Sequence, residues 1–267
     1  MSTPHSAQLD ILRHNNSLNI IALRYKKINF SIVYTVKTLF LKKSFLICVA
    51  AIVAAGILLG VCTGVAVKSA STVNPSMPTV VIDAGHGGID NGVQGIKSRT
   101  DESDINLAIA RYLKGQFTGA GFNCVMTRTS EAGLYGDTSK GFKMRDMKER
   151  KRIIEESNAD LVISVHQNYC PIPSKRGGIV FFEKGSDESG LLARKIQEEL
   201  NGLPQCQKPG ETMYGDYYML KCTGSPSVLV ECGFLSNEEE DKLLNDPTYQ
   251  RAVAYAIFKG AVSYLAK

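Results

Sequence analysis

The sequence predicts an α/β fold: a single open mixed, mostly parallel sheet of about six strands with helices on both faces, preceded by one N-terminal transmembrane helix. Three observations predict it. Short Val/Ile-rich runs bounded by turn residues recur along the chain, as buried strands do. From residue 79 onward they alternate with longer amphipathic stretches. Ahead of them, residues 44–67 run for 24 positions without a charge.

Taken in order, a strand is expected at 79–83, a helix near 104–119, a strand at 122–127 and a helix at 143–157. Strands at 160–166 and 178–183 follow, then a helix at 187–201. A strand near 217–221, a strand at 227–231 and helices near 238–245 and 247–266 complete the pattern. Residues 131–142 form a Gly-rich loop. No internal repeat and no low-complexity tract interrupts this order.

The uncharged stretch sets the domain organisation. As a helix its 24 residues would be about 36 Å long, enough for a hydrocarbon core of about 30 Å. Residues 1–43 form a basic segment with a net charge of +6, carried by seven Lys and Arg against Asp10. Positive flanks stay in the cytoplasm, so a signal anchor at 44–67 would place the rest of the chain on the outer face of the cell membrane. The alternative is a cleaved signal peptide, for which Gly64-Val65-Ala66 is the best available site. Residues 68–78, with two prolines, read as a linker, and 79–267 as the folded α/β domain.

The whole-chain charge of +5, less the +6 of the first 43 residues, leaves −1 for everything after them. That is no basic footprint, so nucleic acid is disfavoured as a partner. Five cysteines lie beyond the span, at 124, 170, 206, 222 and 232. The number is odd and no Cys-x-x-Cys spacing occurs, so no cysteine zinc site is readable.

Chemistry concentrates at strand ends. Of four histidines, His86 follows Val80-Val81-Ile82-Asp83-Ala84-Gly85 and His166 ends Leu161-Val162-Ile163-Ser164-Val165. The carboxyl ends of strands are where an open α/β sheet places its ligands. Asp101, Glu102 and Asp104 stand at the mouth of the next helix, where capping and the helix dipole account for Asp101 and Asp104. Glu102 differs only if it turns toward the sheet edge. Glu231 ends the run Ser227-Val228-Leu229-Val230, where burying a carboxylate is costly without a partner. Either a structural salt bridge meets it or it converges with the two histidines.

Four segments carry a resemblance: Val81-Ile82-Asp83-Ala84-Gly85-His86-Gly87-Gly88, Glu102 with Asp104-Ile105-Asn106-Leu107, Ser164-Val165-His166-Gln167-Asn168, and Val230-Glu231-Cys232-Gly233-Phe234-Leu235-Ser236-Asn237. In that order they resemble the zinc-dependent N-acetylmuramoyl-L-alanine amidases of bacterial cell-wall hydrolysis, of the AmiC and CwlD types. Gly215-Asp216-Tyr217-Tyr218-Met219-Leu220-Lys221 looks similar to the CwlD-like, spore-cortex branch. Gln167 departs from the Ala that many members carry, which bears on subtype and not on the four chemical residues.

The resemblance implies one Zn²⁺ per chain held by His86, Glu102 and His166, with Glu231 as catalytic acid/base. It implies hydrolysis of the amide between the lactyl group of N-acetylmuramic acid and L-alanine in peptidoglycan, with an activating or cortex-processing protein as a partner. Two other readings stay open: a zinc peptidase cutting within the stem peptide, and an inactive wall-binding module on the same fold.

Overall fold

The computed structural model describes residues 76–266. The basic segment 1–43, the span expected at 44–67 and most of the linker lie outside the described residues. Among the described residues no helix is long and apolar enough to cross a membrane.

The six strands are β1 (Thr79–Ala84), β2 (Asn123–Met126), β3 (Leu161–Asn168), β4 (Ile179–Phe182), β5 (Met213–Tyr214) and β6 (Ser227–Phe234). They lie in the order β2-β1-β3-β6-β4-β5. β2, β1, β3 and β6 are mutually parallel, while β4 runs antiparallel to β6 and parallel to β5. The sheet is therefore mixed and mostly parallel, as the sequence predicts. Five described helices accompany it: α1 (Glu102–Gly119), α2 (Phe142–Glu156), α3 (Asp187–Asn201), α4 (Glu238–Leu244) and α5 (Pro247–Leu265).

Strand alternation divides the sheet into two faces. Val80, Ile82, Ala84, Ile163, Val165, Val228 and Val230 join one core with α1, α3 and α5. In α1 the stripe Ile105, Ile109, Leu113 and Phe117 is fully buried at four-residue spacing. Burying each such side chain stabilises the fold by about 1.5–3 kcal/mol. The opposite face, carrying Val81 and Val162, packs Ile154 of α2 with Met219 and Cys222. Asp83, Ser164, His166, Leu229 and Glu231 continue along this second face toward the carboxyl ends of their strands.

Two expectations are corrected. Residues 217–221 are not a strand: Tyr218–Lys221 form a short 3₁₀ helix. Met219 packs with Val81 and Ile154, and Leu220 with Phe181 and Leu229, so the segment lies over the second face of the sheet and not along its edge. The place beside β4 belongs to Met213–Tyr214. The first helix begins at Glu102, not near Asp104, and Asp101 is its N-cap residue. No side chain caps that end; the Asp101 carboxylate accepts from Gln94 Nε2 at 2.7 Å.

Candidate metal centre

β1, β3 and β6 bring the sequence-predicted residues together at their carboxyl ends. The Gly85 N–H donates to the Val165 carbonyl at 3.1 Å, carrying the backbone past β1 alongside β3. A Cβ on Gly85 would lie 2.2 Å from His166 Cε1, so only glycine leaves room for that ring. His86 then adopts φ of 60°, a left-handed conformation uncommon for a residue with a Cβ. Such strain is held by surrounding structure. Here the holders are two buried arginines.

Arg150 of α2 donates to the Ala84 carbonyl at 2.7 Å and to the His86 carbonyl at 2.6 Å. Arg128 donates to the carbonyls of Ala84 and Gly85, both at 2.9 Å. Arg150 also pairs with Asp83 at 2.6 Å and with Asp146 at 2.5 Å. Asp83 accepts further bonds from Thr127 and Ser164, at 2.7 and 2.6 Å. Burial pushes the Asp83 carboxyl up, but Arg150 and the two hydroxyls outweigh it and hold the group at about 2.

Glu102 turns inward from the first turn of α1 and is 2% exposed. Its Oε1 faces His166 Nδ1 at 3.0 Å and His86 Nε2 at 3.3 Å. The same oxygen accepts from the Gln167 N–H at 3.1 Å and Asn106 Nδ2 at 3.2 Å, while Oε2 accepts from the Val93 N–H at 3.0 Å. Burial raises the Glu102 carboxyl, yet the two histidines together hold it well below the usual range. Its ionised form is the one present at neutral pH. The two rings meet edge-on with centroids 5.0 Å apart. One ligand atom from each of His86, Glu102 and His166 lies within 4.8 Å of the others.

Glu231 is the register partner of His166 on β6. Between His166 and Asn168 the pairing slips: three steps on β6 match two on β3, placing a bulge immediately after Glu231. Its Oε2 is buried and has no hydrogen-bond partner among the described residues. Among the described residues no salt bridge meets it. Burial pushes its carboxyl up to about 7; His166 and His86 pull against that, and the Glu102 charge adds to it. A carboxyl poised there can both accept and return a proton near neutrality.

Sequence reasoning missed Asp90, Lys143 and the two arginines. Asp90 Oδ2 accepts from His86 Nδ1 at 3.0 Å, and Lys143 pairs with Asp90 Oδ1 at 3.0 Å. A carboxylate on the far nitrogen fixes a histidine's tautomer and ring orientation, leaving the other nitrogen free to ligate. Its signal was available, four residues after His86 across the Gly87-Gly88 turn. Beside the histidines opens a cleft of about 250 Å³, bounded by Lys143 and Met147 of α2 on one side and Tyr217 and Tyr218 on the other.

A buried carboxylate with one bare oxygen, beside two imidazoles and an ionised glutamate that could hold a metal ion, fits one class: hydrolases built on an open α/β sheet. The chain belongs to the N-acetylmuramoyl-L-alanine amidase family, whose match spans residues 80–263. It is 35% identical over 189 residues to the germination-specific N-acetylmuramoyl-L-alanine amidase of Bacillus subtilis, covering 69% of this chain and 78% of that one. The CwlD amidase of Clostridioides difficile, solved in complex with the GerS lipoprotein, superposes with a TM-score of 0.66 at 39% identity, over 71% of this chain and 98% of that one. The catalytic domain of CwlV, an amidase of Bacillus (Paenibacillus) polymyxa, gives 0.61 at 29% identity, over 71% and 99%. These likenesses support both the peptidoglycan amidase activity and the CwlD-like branch read from the sequence.

Proposed function

We propose that this chain is a zinc-dependent N-acetylmuramoyl-L-alanine amidase that cleaves the lactyl–L-alanine amide of peptidoglycan during spore-cortex modification. The observation that carries the reading is Glu102: one buried, ionised carboxylate oxygen facing imidazole nitrogens from two separate strands. Two imidazoles and a carboxylate suit Zn²⁺ and leave one tetrahedral position open. His86 through Nε2, His166 through Nδ1 and Glu102 would hold the ion, one per chain. When bound, the metal supplies Lewis acidity to the scissile carbonyl and the attacking water.

The remaining work falls to side chains. Asp90 holds His86 in the tautomer that presents Nε2 inward. Glu231 in its ionised form accepts the proton that the water gives up as its oxygen bonds to the carbonyl carbon. Protonated, Glu231 then returns that proton to the alanine nitrogen as the C–N bond breaks. One carboxylate thus serves both steps, with an oxygen that no other group among the described residues engages.

Three further readings belong to this proposal. The catalytic domain would face outward from a membrane anchor at residues 44–67, where peptidoglycan lies. Cortex modification is supported by the germination-specific relative. A lipoprotein partner is supported by the CwlD–GerS complex. The test is mass spectrometry of peptidoglycan digested by the zinc-loaded full chain. Release of intact stem peptides with a free L-alanine amine is expected; fragments cut within the stem would replace the amidase with a peptidase.

A further inference from the structure

Tyr217 has no part in the proton transfer or the metal centre, yet it is seated in the same cleft. Its ring meets Phe181 edge-on with centroids 5.3 Å apart and joins the small cluster of Phe181, Leu220 and Leu229. Phe181 opposes Leu229 across the β4–β6 pair, so both side chains lie on one face. Leu229 is two residues before Glu231 and shares that face with it. The ring thus rests on the strip of sheet that leads to Glu231. From above, a Cβ on Gly215 would fall 2.5 Å from ring carbons Cδ2 and Cε2, so the loop closes on the tyrosine only because residue 215 is glycine.

Tyr217 is half-buried: its ring is packed while its hydroxyl stays open to solvent. The Tyr217 hydroxyl makes no hydrogen bond among the described residues, while the residue lines the cleft with His86 and His166. We propose that Tyr217 is a further catalytic residue of the amidase reaction, its phenol O–H donating a hydrogen bond to the scissile carbonyl oxygen as negative charge develops there. Burial and the nearby Glu231 charge both raise its pKa, so it remains a donor across the working range. A donor fixed in place before the reaction stabilises the developing oxyanion more than the neutral carbonyl, and its loss lowers kcat more than it raises KM.

This inference rests on the amidase reading, and its test separates the two. Zinc-loaded full chain and its Tyr217→Phe variant are compared on purified muropeptides. The expected result is a kcat lower by roughly 10²-fold, the scale of one oxyanion donor, with KM, zinc content and melting temperature unchanged. Affinity for a muramoyl phosphinate, in which tetrahedral phosphorus replaces the carbonyl carbon, should fall by the same factor as kcat/KM. Phenylalanine keeps the ring and its packing, so an unchanged kcat overturns the proposal. So does a raised KM with kcat intact, which would make Tyr217 a ground-state contact. An inactive zinc-loaded wild type would remove the amidase reading and this role with it.

Discussion

Asp83 and Glu231 are carboxylates buried on one face of one sheet, near the ends of strands β1 and β6, and burial pushes both toward the neutral form. They finish about five pKa units apart. Asp83 meets Arg150, Thr127 and Ser164, and ends at about 2. Glu231 keeps one oxygen bare and ends at about 7. Depth alone therefore does not separate a structural acid from a chemical one. The partners do: they tie Asp83 into the scaffold and leave Glu231 the carboxylate to which the proposed proton transfer is assigned.

The sharpest way to break this contrast is Glu231→Gln. Turnover per zinc-loaded chain should fall by roughly 10²–10⁴-fold, because the amide keeps the shape but cannot accept a proton. Zinc content should be unchanged. In the metal-free chain the sign of the stability effect is also fixed. A carboxyl raised from 4.5 to about 7 costs stability as pH climbs through that interval, so Glu231→Gln should melt no lower than wild type above pH 7. A melting temperature well below wild type, with turnover intact, would make Glu231 the structural acid.

Asp83→Asn should do the reverse. It takes one of two carboxylates from a fully buried Arg150, leaving Asp146 as its remaining ion-pair partner, and breaking such a buried pair costs up to about 3–5 kcal/mol. Chemical denaturation should show that loss, and turnover should fall only as far as the His86 turn loosens. Retained stability would mean that Asp146 alone is enough for Arg150.

Asp90 stands between the two cases, exposed to solvent on one side and bonded to a donor histidine on the other. Asp90→Asn should weaken zinc binding by about 10–100-fold, the usual cost of losing a partner on the far nitrogen. It should also lower the melting temperature of the metal-free chain at neutral pH, where Asp90 and Glu102 outweigh burial and push the His86 imidazole up to about 9. Competition with a chelator measures the first, and unchanged affinity would leave Asp90 as a surface partner of Lys143.

The smallest effect is acid sensitivity. Asp83 is held below its ordinary 3.8, so its contribution is complete above that value and fades as pH drops through about 2. The interval carries about 2 kcal/mol. Unfolding curves for wild type and Asp83→Asn should converge over this range, and parallel curves would show that Asp83 is not the acid responsible.

The scaffold and the site were unequally legible in the sequence. β1, β3 and β6 were plain because central strands are covered on both faces and read as unbroken Val/Ile runs. His86 and His166 stood out because each ends such a run, whereas Glu102, indistinguishable by position from Asp101 and Asp104, and Glu231 were singled out by the family resemblance. Arg150 was not, since it reaches Asp83 across 67 positions and nothing local in α2 marks a charged residue that will be fully buried. Tyr217–Lys221 misled because aromatic and apolar residues in sequence resemble a strand, whereas their burial is set by Phe181, Leu229 and α2, all remote in sequence. β5 was missed because two residues carry no periodicity.

The arginine clamp on Ala84, Gly85 and His86 grips carbonyl oxygens only. The turn's backbone is therefore held independently of the side chain at 86, whose ring is oriented separately by Asp90 and Glu102. Its left-handed backbone suits aspartate or asparagine, which tolerate positive φ better than most residues. A second carboxylate there would make the donor set harder and shift metal preference from zinc toward manganese or magnesium. Metal selectivity of His86→Asp, measured by competitive loading, would show whether this pocket can be recoded one side chain at a time.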